Sequence, residues 1–143
     1  MYDRILLPTD GSDGTQSAID HAIELAEYTG ATLHILYVVD TSVAAAVPEA
    51  QTYTISEIFE EAGSQVLDAV RDQATERGVP VETAIRHGSA HTEILAAADE
   101  SNAEIIVMGT HGRTGINRML LGSVADRVIR HASQPVLVKR TVE

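Results

Sequence analysis

Residues 109–129 read GTHGRTGINRMLLGSVADRVI, and their glycines and hydroxyl groups suit the binding of an anion. Three glycines permit tight turns and a close approach of the backbone to a ligand: Gly109, Gly112 and Gly115. Gly122 and Ser123 then open a helical pattern, in which Ser123 is predicted as the N-cap and Asp126 completes a capping box. A helix N-terminus offers unpaired N–H groups and about half a positive charge, so this segment predicts a phosphate site.

A purely structural interpretation of the same segment competes with the phosphate site. The glycines would then only turn the chain, and Ser123 would only cap a helix. Taken residue by residue, this interpretation is slightly the better supported. Two other nucleotide motifs are excluded, because no G-x-x-x-x-G-K-[ST] loop is present and no G-x-G-x-x-G follows the first apolar run.

A hydroxyl and a carboxylate follow the first apolar run of the chain, Ile5 to Leu7, in the segment Pro8-Thr9-Asp10. Another apolar run, at 103–108, leads directly into the glycine-rich segment. Ligands of open α/β sheets bind outside the carboxyl ends of the strands, where the strand order reverses. If these two runs are neighbouring strands, both segments meet at one site.

The elements that must position these segments alternate along the chain. Short apolar runs predict strands, and helical spacings of apolar residues predict the helices between them. Strands are predicted at 2–7, 32–39, 79–86, 103–108 and 135–139, and helices from about 18 to 30, 54 to 77, 93 to 100 and 123 to 131. Residues 40–53 are predicted to be irregular, with a capping box starting at Thr54. This order predicts a single α/β domain over residues 1–143, with a parallel sheet and helices on both faces.

Composition and charge narrow the function further. The chain has 143 residues, no cysteine and a formal net charge of -11, which disfavours a general nucleic-acid binder. Basic side chains are concentrated after residue 104; on charge alone, a solvated basic face explains this better than an anion site. No signal peptide and no apolar run of about 18 residues is present, so the expected location is the cytoplasm and no membrane partner is expected.

The histidines do not predict a metal site. His87 and His91 are four residues apart, but Gly88 and Ser89 lie between them where a helix should start, so the pair is not expected to share a face. His34 alternates within the second strand and is predicted as a packed or edge histidine. A hydrolase with a G-x-S-x-G elbow is excluded, since that motif is absent.

The glycine spacing resembles a known nucleotide signature. Gly109-x2-Gly112-x9-Gly122-Ser123 is similar to the G-x2-G-x9-G-[ST] motif of universal stress proteins. The opening ILLPTDGS, the phrase IIVMGTHGRTG and the closing LLGSVADRVIRHASQPVLVKR resemble the same family, so the likeness covers the whole chain. It implies a five-stranded parallel sheet in the order 3-2-1-4-5, which makes strands one and four neighbours, and it implies binding of ATP, ADP or AMP.

The resemblance also implies roles for single residues. Pro8, Thr9 and Asp10 would flank the nucleoside, with Asp10 near the ribose hydroxyls or a bound Mg²⁺ or Mn²⁺ ion. Val38 would meet adenine through its backbone, and Met108 would line the base pocket.

The glycine motif would hold the ribose and the phosphates. Gly109 would pass close to the ribose. Four residues would hold the phosphates, mainly through their N–H groups: Gly112, Gly122, Ser123 and Val124. For His111 and Arg113, two interpretations fit equally: contact with phosphate, or a side chain exposed to solvent.

Three functions are compatible with these observations. The leading one is a regulatory ATP-binding stress protein. A slow Mg-dependent ATPase or phosphotransferase is the second; Asp10 is the only nearby carboxylate, and no dedicated base is evident. The third is a dimeric interaction scaffold with another small ligand or none. In each case the resemblance implies a homodimer through residues 135–140, the last strand, which is expected at a sheet edge.

Overall fold

The computed structural model describes residues 2–11, 15–41, 49–110 and 122–140, and of residues 49–56 it describes the backbone alone. Strands and helices alternate within these ranges. The strands are β1 (Arg4–Pro8), β2 (Thr32–Asp40), β3 (Val81–Gly88), β4 (Ile105–Gly109) and β5 (Val136–Lys139). The helices are α1 (Gln16–Thr29), α2 (Glu49–Glu76), α3 (Ala90–Glu100) and α4 (Ser123–His131). Among the described residues, no helix has both the length and the apolar character needed to cross a membrane.

The strands form one parallel sheet in the order β3-β2-β1-β4-β5. This is the α/β fold and the strand order that the resemblance implies. β1 lies at the centre because Ile5, Leu6 and Leu7 are apolar on both faces, and none of them is more than 2% exposed. The strand order reverses between β1 and β4, since the chain passes from the edge strand β3 back to β4 beside β1. This reversal leaves a crevice at the carboxyl ends of β1 and β4.

Helices cover both faces of the sheet. Ile5 and Leu7 of β1 face α1 and α2, in a core with Ile23 and Val70. Leu6 faces the opposite side, in the core beneath α3 and α4. This division follows from the alternation of side chains along each strand.

Helix α2 differs from its prediction in two ways. It begins at Glu49, so residues 49–53 are helical and Thr54 lies inside the helix instead of capping it. Glu49, Ala50 and Gln51 are strong helix formers, which explains the earlier start. Its buried face is also turned: the helical spacing of Ile58, Ala62 and Val66 predicts that they face the core, but Ile58 is 60% exposed. Between residues 57 and 76, the buried residues of α2 are Gly63, Leu67, Val70 and Ala74.

Smaller differences occur at other elements. β3 runs from Val81 to Gly88, two residues later at each end than predicted. α3 begins at Ala90, three residues earlier than predicted. The apolar pattern of α4 predicts that Val124, Val128 and Ile129 face inward, but Ile129 is 42% exposed.

Candidate functional site

The carboxyl ends of β1, β2 and β4 meet at one edge of the sheet. Leu6 of β1 is level with Ile106 of β4, so Pro8 lies level with Met108. Pro8 is also level with Leu36 of β2, which places Val38 two residues farther along at the same edge. The sheet therefore brings Pro8-Thr9-Asp10 to the same edge as Gly109, the first glycine of the signature.

The predicted base-pocket residues share one face of the sheet. Met108 is 6% exposed and belongs to the core beneath α3 and α4, against which the half-buried Val38 also packs. Leu6 belongs to the same core, and by alternation Pro8 faces the same side. The result is an apolar surface at the end of the strands, suited to the flat face of a base.

Hydrogen bonds fix the segment that carries Asp10. The N–H of Thr9 donates to the carbonyl oxygen of Leu36 at 2.9 Å. The hydroxyl oxygens of Thr9 and Thr15 are 3.3 Å apart and both residues are buried, and the N–H of Gly11 donates to Thr9 Oγ1 at 3.2 Å. Asp10, which is half-buried, is therefore held between two anchored neighbours at the carboxyl edge.

Replacing Gly11 with a residue that has a side chain would strain the backbone and produce a steric clash. Its φ is +79°, a left-handed conformation that side chains disfavour. A Cβ at this position would lie 2.5 Å from Cγ2 of Val66 on α2. The turn after Asp10 thus packs directly against the long helix.

Thr110 connects β4 to the N-terminus of α4. It is 8% exposed, its N–H donates to the carbonyl oxygen of Lys139 at 3.1 Å, and its own carbonyl oxygen accepts from the N–H of Gly122 at 2.6 Å. The first turn of α4 is therefore held beside the carboxyl end of β4. Sequence reasoning missed this residue; its only signal is its position, immediately after a fully buried strand.

The start of α4 differs from the predicted capping box. Gly122 is the N-cap, Ser123 is the first helical residue, and no side chain caps this end among the described residues. The Asp126 N–H donates to the carbonyl oxygen of Gly122 at 2.9 Å. The N–H groups of Ser123 and Val124 come before that bond, in the turn that has no intrahelical acceptors. The exposed Ser123 hydroxyl is likewise not used for capping, so this turn can offer donors to an anion.

An acidic group also lies in the turn that carries these donors. Asp126 lies in the first turn of α4, and its carboxylate accepts from Arg130 Nε at 3.0 Å. This ion pair reduces the repulsion that Asp126 would exert on a bound anion. A phosphate beside Ser123 and Val124 thus has the helix dipole in its favour.

Nine of the twelve predicted site residues lie in the described part of the chain, all at the carboxyl edge of the sheet or in the first turn of α4. His111, Gly112 and Arg113 fall outside the described residues.

Asp10 is the residue at this edge that the resemblance assigns to a metal ion. Within the described ranges, no group of three or more His, Cys, Asp or Glu side chains could hold a metal ion. A single carboxylate fits a hard cation such as Mg²⁺, which keeps most of its water and shares the phosphate oxygens of a nucleotide. The donor set therefore suits an ion that arrives with the nucleotide.

Comparison with known proteins identifies the family. The family model described as universal stress protein family matches residues 1–140. The universal stress protein MJ0531 of Methanocaldococcus jannaschii is 44% identical over 139 residues, covering 96% of this chain and 82% of that protein.

Solved structures agree with this match. The structure of MJ0577, a universal stress protein of the same organism, superposes with a TM-score of 0.89 at 31% identity, covering 100% of this chain and 99% of that one. A crystal structure of a universal stress protein in complex with cAMP has a TM-score of 0.73 at 27% identity, covering 99% of this chain and 98% of the other. The chain belongs to the universal stress protein family.

Proposed function

We propose that this chain binds ATP and that the bound nucleotide regulates its conformation or its choice of partner in a stress response. One observation carries the proposal: the 2.6 Å hydrogen bond between Gly122 and Thr110, which brings the first turn of α4 to the carboxyl end of β4. That contact places the two ends of the signature Gly109-x2-Gly112-x9-Gly122-Ser123 side by side.

The nucleotide would lie across the crevice from β2 to α4. Adenine would sit on the apolar surface of Met108, with Val38 supplying backbone hydrogen bonds. The ribose would lie between Gly109 and Asp10, and the phosphates would reach the first turn of α4. The relative solved with cAMP supports an adenine nucleotide, since cAMP combines adenine, ribose and phosphate.

Phosphate recognition would rest on the backbone. Gly122, Ser123 and Val124 would donate N–H groups to phosphate oxygens, together with Gly112. Asp10 would hold a Mg²⁺ or Mn²⁺ ion that also binds the phosphates. For His111 and Arg113, contact with phosphate and exposure to solvent are equally compatible with the sequence.

Binding is proposed in preference to turnover. Phosphoryl transfer requires a positioned nucleophile and neutralisation of charge. Among the described residues, Asp10 is the carboxylate at the site, and it is assigned to the metal. A slow ATPase is the second candidate, favoured by the anchored position of Asp10; it would show metal-dependent turnover that Asp10→Ala abolishes.

The first experiment identifies the nucleotide directly. Freshly purified protein is denatured, the released small molecules are separated by chromatography, and the emptied protein is titrated with ATP and Mg²⁺. We expect co-purified or rebound adenine nucleotide. The absence of both, in low and in high salt, would make the interaction scaffold the better proposal.

Gly122→Val tests the phosphate assignment. The φ of -62° and ψ of 152° at Gly122 are accessible to valine, so the backbone tolerates the change. A side chain there would occupy the phosphate space, and ATP affinity should fall about a hundredfold or more through the loss of charge-assisted hydrogen bonds. Ser133→Val, at an exposed position beyond the other end of α4, is the matched control. Equal ATP affinity in the two variants would contradict the assignment.

The homodimer stays part of the proposal. β5 is an edge strand of four residues, each of them half-buried, and its outer edge offers backbone groups to a second copy. We expect sedimentation to give a dimer joined through residues 135–140. A monomer alone at tens of micromolar would overturn this part without affecting the nucleotide site.

A further inference from the structure

A cleft of about 280 Å³ lies between the edge strand β3 and the C-terminal half of α3. Its floor is the sheet, with Leu36 and Ala84 side by side in the register of β2 and β3. Its wall is the C-terminal half of α3, with Ala97 in the helix and Ser101 just beyond its end. The cleft exists because the short α3 leaves this face of β3 partly open, so that Ala84 is exposed.

A histidine and a carboxylate face each other in this cleft. His34 of β2 and Glu82 of β3 are direct partners in the strand register. His34 Nε2 and Glu82 Oε2 are 3.2 Å apart, and the His34 side chain is only 15% exposed. Nε2 makes no hydrogen bond with any described residue, although the Glu82 carboxylate is this close. The buried hydroxyl oxygen of Ser101 also has no hydrogen-bond partner in the described part of the chain.

The charges around the cleft leave an excess of carboxylate. Arg86 donates from Nε to Glu93 at 2.8 Å and from Nη2 to Glu100 at 2.9 Å, so its single positive charge is paired with two carboxylates. Arg4 donates from Nη1 to the carbonyl oxygen of Ser101 at 3.0 Å. Against these two guanidiniums stand three carboxylates, including Glu82, which is paired only with the imidazole among the described residues.

The imidazole does not offset this charge. Burial lowers the pKa of His34 below its usual value of 6.5, with a smaller opposing effect from Glu82 and a further lowering from Arg4. A neutral His34 that carries its proton on Nδ1 offers a lone pair at Nε2. His34 Nε2 and Glu82 Oε2 are then two acceptors 3.2 Å apart, and a single cationic group could donate hydrogen bonds to both.

We propose that this cleft binds a small primary aliphatic ammonium ion. Its N–H groups would donate to His34 Nε2, to the carboxylate of Glu82 and to the hydroxyl oxygen of Ser101. Its alkyl chain would lie on the apolar floor formed by Leu36 and Ala84. An ammonium group has three donors for these three acceptors, and its charge matches the carboxylate excess.

Two other ligand classes fit less well. An anion would meet Glu82 and a guanidinium that is already paired. A metal ion would find only His34 and Glu82 as side-chain ligands among the described residues, in a cleft much larger than an ion. The aliphatic ammonium ion uses both the polar and the apolar parts of the cleft.

The test is a titration of the full chain with n-butylammonium chloride, followed by NMR of the His34 ring and the Ala84 methyl group. Both signals should shift saturably. n-Butanol, which has the same carbon chain without the charge, should cause no saturable shift at constant ionic strength. Glu82→Gln should weaken butylammonium binding about tenfold, the effect of losing one charge-assisted hydrogen bond. Glu76→Gln, an exposed position at the end of α2, is the matched control.

A second variant keeps the test independent of Glu82. Ala84→Leu fills the cleft from an exposed strand position, so the fold is retained while butylammonium binding is lost. Both variants should bind ATP as the original chain does, which separates this cleft from the nucleotide site. The proposal is overturned by an absence of saturable shifts, by equal binding of butanol, by unchanged affinity in Glu82→Gln, or by a response to Zn²⁺ alone.

Discussion

The two faces of the sheet differ in how completely they are buried. Among the described residues, the core beneath α1 and α2 contains eighteen buried side chains, and the core beneath α3 and α4 contains ten. The apolar surface at Met108 and the cleft at Ala84 both open on the second face. Within the described ranges, the first face therefore buries more apolar side chains, and the second face carries both candidate ligand surfaces.

Helix length explains the difference. α2 has 28 residues and spans roughly 42 Å, enough to cross the sheet completely. α3 and α4 have 11 and 9 residues and span only about 16 Å and 14 Å. Each of these helices follows a strand of the parallel sheet, so their N-termini lie near the carboxyl ends of the strands, where an anion can reach them.

The largest expected effect comes from two leucines of β2 that face opposite sides. Leu33 is fully buried beneath α1 and α2, whereas Leu36 is 1% exposed and borders the cleft. Both Leu→Ala variants should lower the free energy of unfolding by about 2–5 kcal/mol. The loss for Leu33→Ala should lie at the upper end of this range, because the cavity it leaves is enclosed on every side. The loss for Leu36→Ala should lie at the lower end, because Leu36 borders the cleft.

Urea unfolding followed by circular dichroism measures both leucine variants under one condition. The two leucines are matched in residue type, strand and burial. The difference between their losses of unfolding free energy therefore reports how tightly each face of the sheet is packed around them. If Leu36→Ala costs as much as Leu33→Ala or more, the second face is packed as tightly as the first and the comparison fails.

Much of this fold could be predicted because its strands are continuous apolar runs. Ile5 to Leu7 and Ile105 to Met108 are apolar without interruption, which is typical of strands covered on both faces. Such runs locate the strands but not their order, which came from the resemblance of the glycine motif to a known family. The order was confirmed by the structure.

Other features depend on contacts that no local pattern records. The role of Thr110 arises from hydrogen bonds to Lys139 and Gly122, which are distant in sequence. The cap of α4 was misassigned because Ser123 has the right residue type but lies one position inside the helix. The pairing of His34 with Glu82 requires the register of β2 and β3, which alternation alone does not fix.

A second pair of substitutions probes packing by adding atoms. Gly63 of α2 lies over Tyr37, and a Cβ there would be 2.5 Å from Cδ1 of that ring, which is 3% exposed. Gly63→Ala should therefore destabilise the fold by about 1–3 kcal/mol through overpacking. Ala84→Val, on the open face of β3, should change the free energy of unfolding by about 0.5 kcal/mol or less.

Thermal unfolding of these two variants checks the prediction. Combining Gly63→Ala with Tyr37→Leu should recover part of the loss, because a smaller side chain makes room for the added methyl group. A neutral Gly63→Ala variant would mean that the ring of Tyr37 can move aside, and the first face would then be looser than proposed.

The smallest expected effect concerns the polar group buried on the second face. Burial lowers the pKa of His34 below 6.5, so the unfolded chain binds a proton at this residue more readily than the folded chain does. The stabilisation linked to neutral His34 is fully present above about pH 6.5 and is lost as the pH falls towards the folded-state pKa. Urea unfolding between about pH 7.5 and pH 5.5 should therefore show a decline in stability, part of which disappears in His34→Gln.

Glu82→Gln sharpens this prediction because Glu82 raises the pKa of His34 against the effect of burial. Without that carboxylate, the folded-state pKa should fall further, and the decline in stability should extend to lower pH than in the original chain. Replacing Arg4 with Gln should act in the opposite direction, since the guanidinium lowers the pKa. If His34→Gln leaves the pH dependence unchanged, the imidazole reaches solvent freely, and the second face is open enough to hydrate it.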